Sequence, residues 1–457
     1  MAAAELVAPL LASDRPCACG RRHVVPTREV LIESRALERL PELAVRLGLT
    51  GPCAVVADEI TAELAGQHAA DLLEDAALVI LRPETSDGSL EASEEAVGRL
   101  LRSPLVGQRF LVAVGSGTIN DIVKLAATRA SLPYLAVATA PSMNGYPSAI
   151  AAILVGGIKR TLPADPPVGI VCDTDILCAA PAEMVSAGYG DLLSKSVSSA
   201  DWRMAHLVTG EYYCDVPVQV VDEAERLCRE RAAEIKRREP EAVALLTAAL
   251  LQSGISMAMA GSSAPASGGE HLLSHYWDMT APARGRRHDL HGRQTAVGSL
   301  VSAALYEALR ERLPQVDLES ALAARPDAGR AAGEAWAHFA PLLGPDAAAA
   351  ISEELRAKHA PAERVRERLA PIAADPDILW NELGSVLRSR AELAESLTAG
   401  GAPTTVAGIG VPPDEARAAF RHARDIRSRY TVLDLAADLG LLHDLANEVL
   451  ERSRVLA

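Results

Sequence analysis

Short apolar runs alternate with longer amphipathic stretches from residue 24 to residue 181. Between the runs, apolar residues recur at the spacing of helices that bury one face. This alternation is typical of a parallel sheet covered by helices, so we predict an open α/β domain here. The predicted strands are AVVA (54–57), LVIL (78–81), FLVAV (110–114), LAVA (135–138), AAILV (151–155) and GIVC (169–172).

Helical patterns dominate after residue 182. The stretch VALLTAALLQSGISMAMAG (243–261) is apolar around nearly its whole circumference, which predicts a buried helix. From residue 305 onward, segments rich in Ala, Arg and Glu predict a helical bundle with solvated charged faces. We therefore divide the chain into an N-terminal extension (1–23), an α/β domain (24–181) and an all-α domain (182–457).

Composition limits the classes of partner. The 457 residues are 49% hydrophobic, which describes a well-buried globular protein of about two domains. A net charge of -15 argues against nucleic acid or an anionic membrane as the main partner. The seven cysteines are unevenly spaced and absent from the last half, so no disulfide framework is implied. We read no export signal and no membrane insertion, and expect a cytoplasmic protein.

Four of the eleven histidines fall between Ser267 and Gly298. His271 and His275 stand four residues apart behind two glycines, so they would share one face of a helix that begins there. His291 precedes small and apolar residues that predict the start of a second helix. Two histidines from separate helices and one upstream acid would form an open, catalytic kind of metal site. The alternative is a set of surface histidines beside an arginine-rich loop.

Asp191, in SAGYGDLLSK, is the candidate acid. We expect it in the first turn of a helix, where the helix dipole favours an anion, with Lys195 one turn further along the same face. Alternatively, Asp191 only caps the helix and forms an ion pair with Lys195.

Two predicted strand ends in the α/β domain carry groups suited to a nicotinamide dinucleotide. Asp58 directly follows AVVA, where an acid can accept hydrogen bonds from the ribose of NAD, or can simply cap the next helix. The turn GSGTINDIVK follows FLVAV, and its backbone can approach a pyrophosphate at a helix N-terminus. Strand–Gly–helix turns also occur without phosphate. The residues that we assign to the cofactor in this turn are Gly115, Ser116, Gly117, Thr118 and Asp121.

The hydroxyl-rich loop TAPSMNGYPS (139–148) follows LAVA. At a sheet's carboxyl edge such a loop could hold nicotinamide and substrate, although it could also be a simple turn. We assign Thr139, Ser142 and Ser148 to the cofactor and Asn144 to the substrate. Lys159, an isolated cation between apolar segments, is also assigned to the cofactor.

Near the N-terminus, CACGRRH places Cys17, Cys19 and His23 close together. The spacing lacks a fourth ligand and a second Cys-x2-Cys knuckle, so it favours an ordinary loop over a zinc site.

Taken together, these motifs resemble the sn-glycerol-1-phosphate dehydrogenases. That family is related to the iron-containing alcohol dehydrogenases, glycerol dehydrogenases and dehydroquinate synthases. The matching stretches occur in the family's order over roughly residues 24–442, and CACGRRH looks like a leader that some relatives carry. They are VGSGTINDIVKLAA, TAPSMNGYPS, AGYGDLLSKSVSSADW, PASGGEHLLSHYWDM, LHGRQTAVG, GAPTTVAGIGV and RSRYTVLDLAADLGLL.

The resemblance implies a Rossmann-like N-terminal domain, an all-helical C-terminal domain and one divalent ion, zinc, nickel or iron, held by Asp191, His271 and His291. The implied reaction is the NAD(P)H-dependent reduction of dihydroxyacetone phosphate to sn-glycerol 1-phosphate. We expect NAD(H) to be preferred because of Asp58, although NADP(H) is also open. We further expect Lys195 and His275 to bind the substrate phosphate. We also expect the protein to form a homo-oligomer, with a dimer favoured.

One position departs from the family pattern: relatives usually carry an acid where this chain has Asn144. An amide donates as well as accepts hydrogen bonds, so the substrate could be a different polyol, cyclitol or phosphonate. Two further alternatives stay open. The first is a sugar-phosphate cyclase of the dehydroquinate synthase type, which shares the fold but usually has Glu as its first metal ligand. The second is a catalytically silent binding subunit.

Overall fold

The computed structural model describes residues 3–83, 88–103, 105 and 107–457. The chain forms two compact units. The first unit consists of Met1–Val155, Lys159–Leu192 and Asp215–Ser263, and the second of Gly156–Ile158, Leu193–Cys214 and Ala264–Ala457.

The strands all lie in the first part of the described chain. They are β1 (Ser13–Pro16), β2 (Arg22–Val25), β3 (Glu29–Glu33), β4 (Cys53–Ala57), β5 (Ala76–Ile80), β6 (Phe110–Gly115), β7 (Tyr134–Ala138), β8 (Ile150–Val155), β9 (Ile158–Pro163) and β10 (Gly169–Asp173).

Helices extend over the whole chain. The first twelve are α1 (Ala3–Val7), α2 (Leu40–Arg46), α3 (Glu59–Thr61), α4 (Gln67–Leu72), α5 (Glu94–Arg102), α6 (Gly117–Ala130), α7 (Thr174–Ala179), α8 (Ala182–Leu193), α9 (Lys195–Thr209), α10 (Asp215–Glu230), α11 (Ala232–Arg237) and α12 (Pro240–Ala260). The others are α13 (Gly269–Thr280), α14 (His291–Arg312), α15 (Leu318–Ala324), α16 (Ala328–Leu343), α17 (Pro345–Lys358), α18 (Ala362–Ala374), α19 (Asp377–Leu383), α20 (Arg390–Ala399), α21 (Pro413–His422), α22 (Val432–Asp438) and α23 (Leu442–Arg452).

A six-stranded parallel sheet organises the first unit, in the order β3-β10-β7-β6-β4-β5. Its central strands are buried along their whole length, which explains why they read as continuous apolar runs rather than as alternating patterns. The chain runs from β4 outward to β5 and then returns to β6 on the other side of β4. Ligands of open α/β sheets bind at the carboxyl ends of strands where the order reverses in this way. The predicted α/β fold with a mostly helical remainder is confirmed.

Two strand assignments differ from the sequence prediction. Residues 151–155 were predicted in the sheet, but β8 pairs with β9 in a separate two-stranded ribbon. Gly156 and Gly157, with φ of +56° and +78°, form the tight turn between these strands, which glycines allow at low cost. The edge strand β3 was not predicted, because its five residues begin and end with Glu and lead directly into a helical pattern.

The apolar helix α12 is buried, as predicted, and belongs to the first unit. It is long and apolar enough to cross a membrane by composition alone, but 89% of its most apolar window is buried inside the protein. It therefore has the character of a core helix.

Helices alone, apart from the short segment Gly156–Ile158, make up the second unit. Helix α13 is buried from end to end and packs along α14, which is buried over most of its length. Gly298 of α14 permits this packing, because a Cβ there would lie 2.7 Å from the backbone oxygen of Glu270. The two histidine-bearing helices are thus held close together.

Candidate functional site

Three segments predicted to bind the cofactor follow neighbouring strands of the sheet. β4 pairs with β6, and β6 pairs with β7 in a register that sets Gly115 opposite Ala138. Asp58, Ser116 and Thr139 therefore follow strand ends at the same edge of the sheet, where the strand order reverses. This is the edge at which an open α/β sheet binds ligands.

Asp58 caps α3, as the alternative interpretation held. Its Oδ1 accepts hydrogen bonds from the Thr61 backbone N–H at 2.7 Å and from the Thr61 hydroxyl at 2.9 Å. The Asp58 N–H donates in return to Thr61 Oγ1 at 3.1 Å, which completes a capping box. Both capping bonds use Oδ1, so the cap fixes the carboxylate without requiring Oδ2. The predicted contact with a ribose is therefore compatible with the cap.

The glycine turn joins β6 to the 14-residue helix α6. A Cβ on Gly115 would lie 2.6 Å from that of Ile119, so only glycine fits this tight turn. The Thr139 N–H donates to the Gly115 carbonyl at 3.2 Å, and the hydroxyls of Ser116 and Ser142 lie 2.5 Å apart. The amides at the start of α6, including that of Thr118, form the positive end of the helix, which suits a phosphate.

Lys124 is a residue that the sequence analysis missed. Its ammonium group is fully buried and donates to the Gly145 carbonyl at 2.6 Å, to Ser148 Oγ at 2.9 Å and to the Ile150 carbonyl at 3.0 Å. Burial lowers the pKa of Lys124 to about 8, although the nearby Asp121 carboxylate opposes that shift. Lys124 thus fixes the end of the 139–148 loop. A clue was the spacing of Asp121 and Lys124, which lie on one face of the helix.

Asp121 and Ser148, both assigned to the cofactor, have internal partners in the structure. Asp121 Oδ2 accepts a hydrogen bond from the Ala152 N–H at 3.0 Å, and burial raises the pKa of this carboxyl. The Ser148 hydroxyl accepts from Lys124, and the Gly145 and Ile150 carbonyls are alternative acceptors for its one proton. Lys159 lies on β9 and lowers the pKa of Asp121 through its charge, as a smaller effect than burial.

The predicted setting of Asp191 is wrong in one respect. Helix α8 ends at Leu193, so Asp191 lies in the last turn, where the helix dipole does not favour an anion. Lys195 starts the next helix, so the two residues do not share a helix face. The carboxylate is instead stabilised by Asn144, whose backbone N–H donates to Oδ2 at 2.9 Å and whose side-chain amide donates to Oδ1 at 3.4 Å.

Helix α8 begins at Ala182, so the residues AGYG lie inside it, although Asp191 was expected in the first turn. A Cβ on Gly188 would lie 1.8 Å from the Pro141 carbonyl oxygen. Likewise, a Cβ on Gly254 of α12 would lie 2.3 Å from the Asn144 carbonyl oxygen. Both glycines sit inside helices and permit close approach of the 139–148 loop, which carries Asn144 to Asp191.

In the second unit, His271, His275 and His291 form one buried to half-buried cluster. The ring centroid of His291 lies 4.8 Å from that of His271 and 5.4 Å from that of His275. The sequence prediction placed His271 and His275 on one helix and His291 at the start of another, and α13 and α14 have these positions.

Hydrogen bonds define the proton positions on two of these rings. Nδ1 of His271 lies 2.7 Å from Glu270 Oε1, and because this oxygen also accepts from the Gly268 N–H, Nδ1 carries the proton. Nδ1 of His291 lies 2.8 Å from Ser274 Oγ, which gives its own proton to Gln294 Oε1 at 2.7 Å. In each neutral ring the lone pair is therefore on Nε2, the form in which a histidine binds a metal.

Behind His271 lies a pair of buried acids that the sequence analysis did not find, Glu270 and Asp201. Burial raises the pKa of each carboxyl to about 7. Asp201 Oδ2 accepts from the Gly269 N–H at 2.6 Å, and Glu270 Oε1 accepts from the Gly268 N–H at 2.9 Å. These bonds fix the start of α13 and, with it, His271. The available clue was the acid directly before His271 in GGEH.

The second unit also contains a candidate cation group of its own, formed by His275, Asp278 and His291. One ligand atom from each lies within 4.8 Å of the others. This group shares His291 with the predicted metal site. An experiment must therefore distinguish metal binding by Asp278 from metal binding by Asp191.

Lys195 is buried at the start of α9 and donates from Nζ to Ser194 Oγ and to the Ala266 carbonyl, both at 3.2 Å. These bonds fix the ammonium group within the second unit, the unit that also contains His275.

The comparisons with known proteins first define a class. Residues 31–181 match the family model of the iron-containing alcohol dehydrogenases. The fold is similar to that of a probable glycerol dehydrogenase from Sinorhizobium meliloti, with a TM-score of 0.60 at 16% identity over 94% of this chain and 98% of that one.

Sequence relatives narrow the class. The chain is 35% identical to glycerol-1-phosphate dehydrogenase [NAD(P)+] of Halalkalibacterium halodurans over 295 residues, which cover 64% of this chain and 74% of the relative. It is 32% identical to the enzyme of that name from Thermococcus kodakarensis, over 63% of this chain and 82% of the relative. The chain belongs to the glycerol-1-phosphate dehydrogenase family of iron-containing alcohol dehydrogenases. It is an NAD(P)-dependent oxidoreductase, and NAD(P) and a metal ion are the cofactors expected of this family.

Substituting Gly188→Ala tests the close approach of α8 to the 139–148 loop. Because the new methyl group would overlap the Pro141 carbonyl, we expect a loss of about 1–3 kcal/mol in the free energy of unfolding, measured by urea denaturation. The matched control is Gly333→Ala in α16, where a Cβ meets nothing within 4 Å. That change should be neutral or stabilise by up to about 1 kcal/mol. Equal effects of the two substitutions on the free energy of unfolding would contradict the close approach of α8 to the 139–148 loop.

Proposed function

We propose that this enzyme reduces dihydroxyacetone phosphate to sn-glycerol 1-phosphate with NAD(P)H, using one divalent ion held by Asp191, His271 and His291. The names of the sequence relatives support the reaction. The proposed ligand set rests on the family resemblance and on the burial and hydrogen bonds of each residue within its own unit.

The observation that carries the proposal is the proton arrangement on the two histidines. Glu270 and Ser274 each accept a hydrogen bond from an Nδ1–H, so each ring carries its lone pair on Nε2, the atom that would bind a cation. Hydrogen-bonded carboxylates and hydroxyls of this kind orient metal-binding histidines and raise their basicity. Histidines exposed on the surface would not require such matched partners, because water can satisfy both ring nitrogens.

Asp191 supplies the negative charge of the proposed site. Its two oxygens accept hydrogen bonds from Asn144, which as an amide can donate to a carboxylate. An acid at position 144 would instead place a second negative charge beside Asp191. Asn144 therefore positions Asp191, and it remains our candidate for contact with the substrate hydroxyls.

When bound, the ion would act as a Lewis acid on the substrate carbonyl, and the reduced nicotinamide would supply the hydride. The protein's part is to hold these groups and to exclude water. The burial of Asp191, His271 and His275 provides a dry environment in which charge interactions are strong.

For the cofactor we propose that NAD(H) is preferred to NADP(H). A carboxylate at Asp58 accepts hydrogen bonds from ribose hydroxyls and repels a 2'-phosphate. For the substrate phosphate we propose Lys195 and His275 as partners. Lys195 is a cation at a buried position, which suits a dianion that must leave water.

Metal analysis of purified variants tests the ligand set. We expect Asp191→Asn and His271→Ala each to weaken binding of the catalytic ion by at least about tenfold, because each removes a direct ligand. Asp278→Asn is the matched control, since Asp278 belongs to the alternative group around His291. Loss of the ion in Asp278→Asn, with retention in Asp191→Asn, would assign the ion to the alternative group.

Fluorescence titration with NADH and NADPH tests the role of Asp58. NADH should bind more tightly, and Asp58→Ser should narrow the difference, because serine retains a good helix cap but lacks the charge. Asp317→Ser replaces another capping aspartate, at α15, and should leave the ratio of the two dissociation constants unchanged. Tighter binding of NADPH by the unmodified enzyme would refute this use of Asp58.

Steady-state rates with a panel of ketones test the phosphate site. In Lys195→Met we expect KM for dihydroxyacetone phosphate to rise by about 10- to 100-fold, because a charge-assisted hydrogen bond is lost. The rate with unphosphorylated dihydroxyacetone should change little. The control is Lys358→Met, which removes another lysine with little exposure, one that is paired with Asp434. The proposed phosphate site is wrong if dihydroxyacetone and dihydroxyacetone phosphate are reduced equally well and Lys195→Met changes neither rate.

A further inference from the structure

The N-terminal hairpin brings together the side chains of the CACGRRH motif. Strands β1 and β2 pair antiparallel, with Pro16 opposite Arg22, and the turn between them contains both cysteines. The Cys17 N–H donates to the Arg21 carbonyl and the Gly20 N–H to the Cys17 carbonyl, both at 3.0 Å. Gly20 has a φ of +84°, which closes the turn. The backbone therefore holds the two thiols at the tip of the hairpin, beside the start of β2.

The ligand atoms of Cys17, Cys19 and His23 lie within 4.8 Å of one another. Cys19 Sγ is 3.7 Å from His23 Nε2. In a tetrahedral zinc site, bonds of about 2.3 Å to sulfur and about 2.0–2.1 Å to nitrogen separate these two atoms by about 3.6 Å. The observed separation is thus close to that of two ligands on one zinc ion.

The imidazole of His23 has the tautomer that such a site requires. His23 is 2% exposed, and its Nδ1 lies 2.7 Å from the Met259 carbonyl oxygen near the end of α12. Because a carbonyl only accepts, Nδ1 carries the proton, and the Nε2 lone pair is directed toward the cysteines. Backbone carbonyls commonly orient metal-binding histidines in this way.

We propose that Cys17, Cys19 and His23 bind a structural zinc ion. Binding replaces two thiol protons by the ion and, through His23, ties the tip of the hairpin to the C-terminal end of α12. No residue of the reaction is involved, so this ion would stabilise the fold. The sequence analysis favoured an ordinary loop because the spacing lacks a fourth ligand and a second Cys-x2-Cys knuckle.

Cobalt substitution tests this proposal independently of the catalytic metal. The full-length protein is refolded or grown with Co²⁺, and its near-ultraviolet absorption is recorded, because only thiolate ligands give an intense sulfur-to-cobalt charge-transfer band. We expect this band in the unmodified protein and in His271→Ala, whose catalytic site contains no cysteine. The band should be lost in Cys17→Ser combined with Cys19→Ser. It should persist in Cys178→Ser, a half-buried thiol outside the group.

Thiol labelling of the unmodified protein provides a second measurement that needs no variant to fold. With zinc bound, Cys17 and Cys19 should react slowly with a disulfide reagent, and a chelator should accelerate that reaction. Absence of the cobalt–thiolate band, or thiol reactivity that is the same with and without the chelator, would overturn the proposal. Neither measurement depends on turnover. An inactive enzyme with a strong cobalt–thiolate band would therefore contradict only the proposed function.

Discussion

The carboxylate of Asp201 is the contact on which the histidine cluster of the second unit depends. A buried carboxylate is costly unless donors surround it, and Asp201 is 1% exposed. Its donors are the Gly269 N–H, the Tyr306 hydroxyl and the Val432 N–H, which belong to three different helices. Satisfying this one group therefore fixes the start of α13 relative to α14 and α22. His271, two residues further along α13, takes its position from that arrangement.

In the first unit, a buried cation has a comparable positioning role. Lys124 is fully buried, and its three acceptors all lie near the end of the 139–148 loop. The loop cannot leave without exposing an unpaired ammonium group to an apolar interior, at a cost of about 1.5–3 kcal/mol for each hydrogen bond to a charged group. The loop has no regular structure of its own, so this anchor keeps Asn144 in place beside Asp191. In both units, a charged residue outside the proposed ligand set positions that set.

The sequence predicted what depends on local pattern. Strands buried on both faces appear as apolar runs, and histidines four apart behind two glycines predict a helix with both rings on one side. It failed where a residue's role depends on distant partners. Gly188 looks like a turn residue, yet it lies inside α8, where glycine is required because Pro141 leaves no space for a side chain. Asp201 carries no local signal, and the spacing of Lys124 from Asp121 does not reveal the loop that Lys124 holds, since these partners become neighbours only in the folded chain.

Spacing along the chain indicates which histidines could share an ion, but the ability to bind one depends on where the ring proton lies. In His271, His291 and His23 that position follows from the partner of Nδ1: a carboxylate, a hydroxyl that has already donated its proton, and a backbone carbonyl. Each partner can only accept, so each Nε2 retains its lone pair. The hydrogen bonds of the protein thus fix the tautomer of these three rings, a property that is not visible in the spacing of the residues.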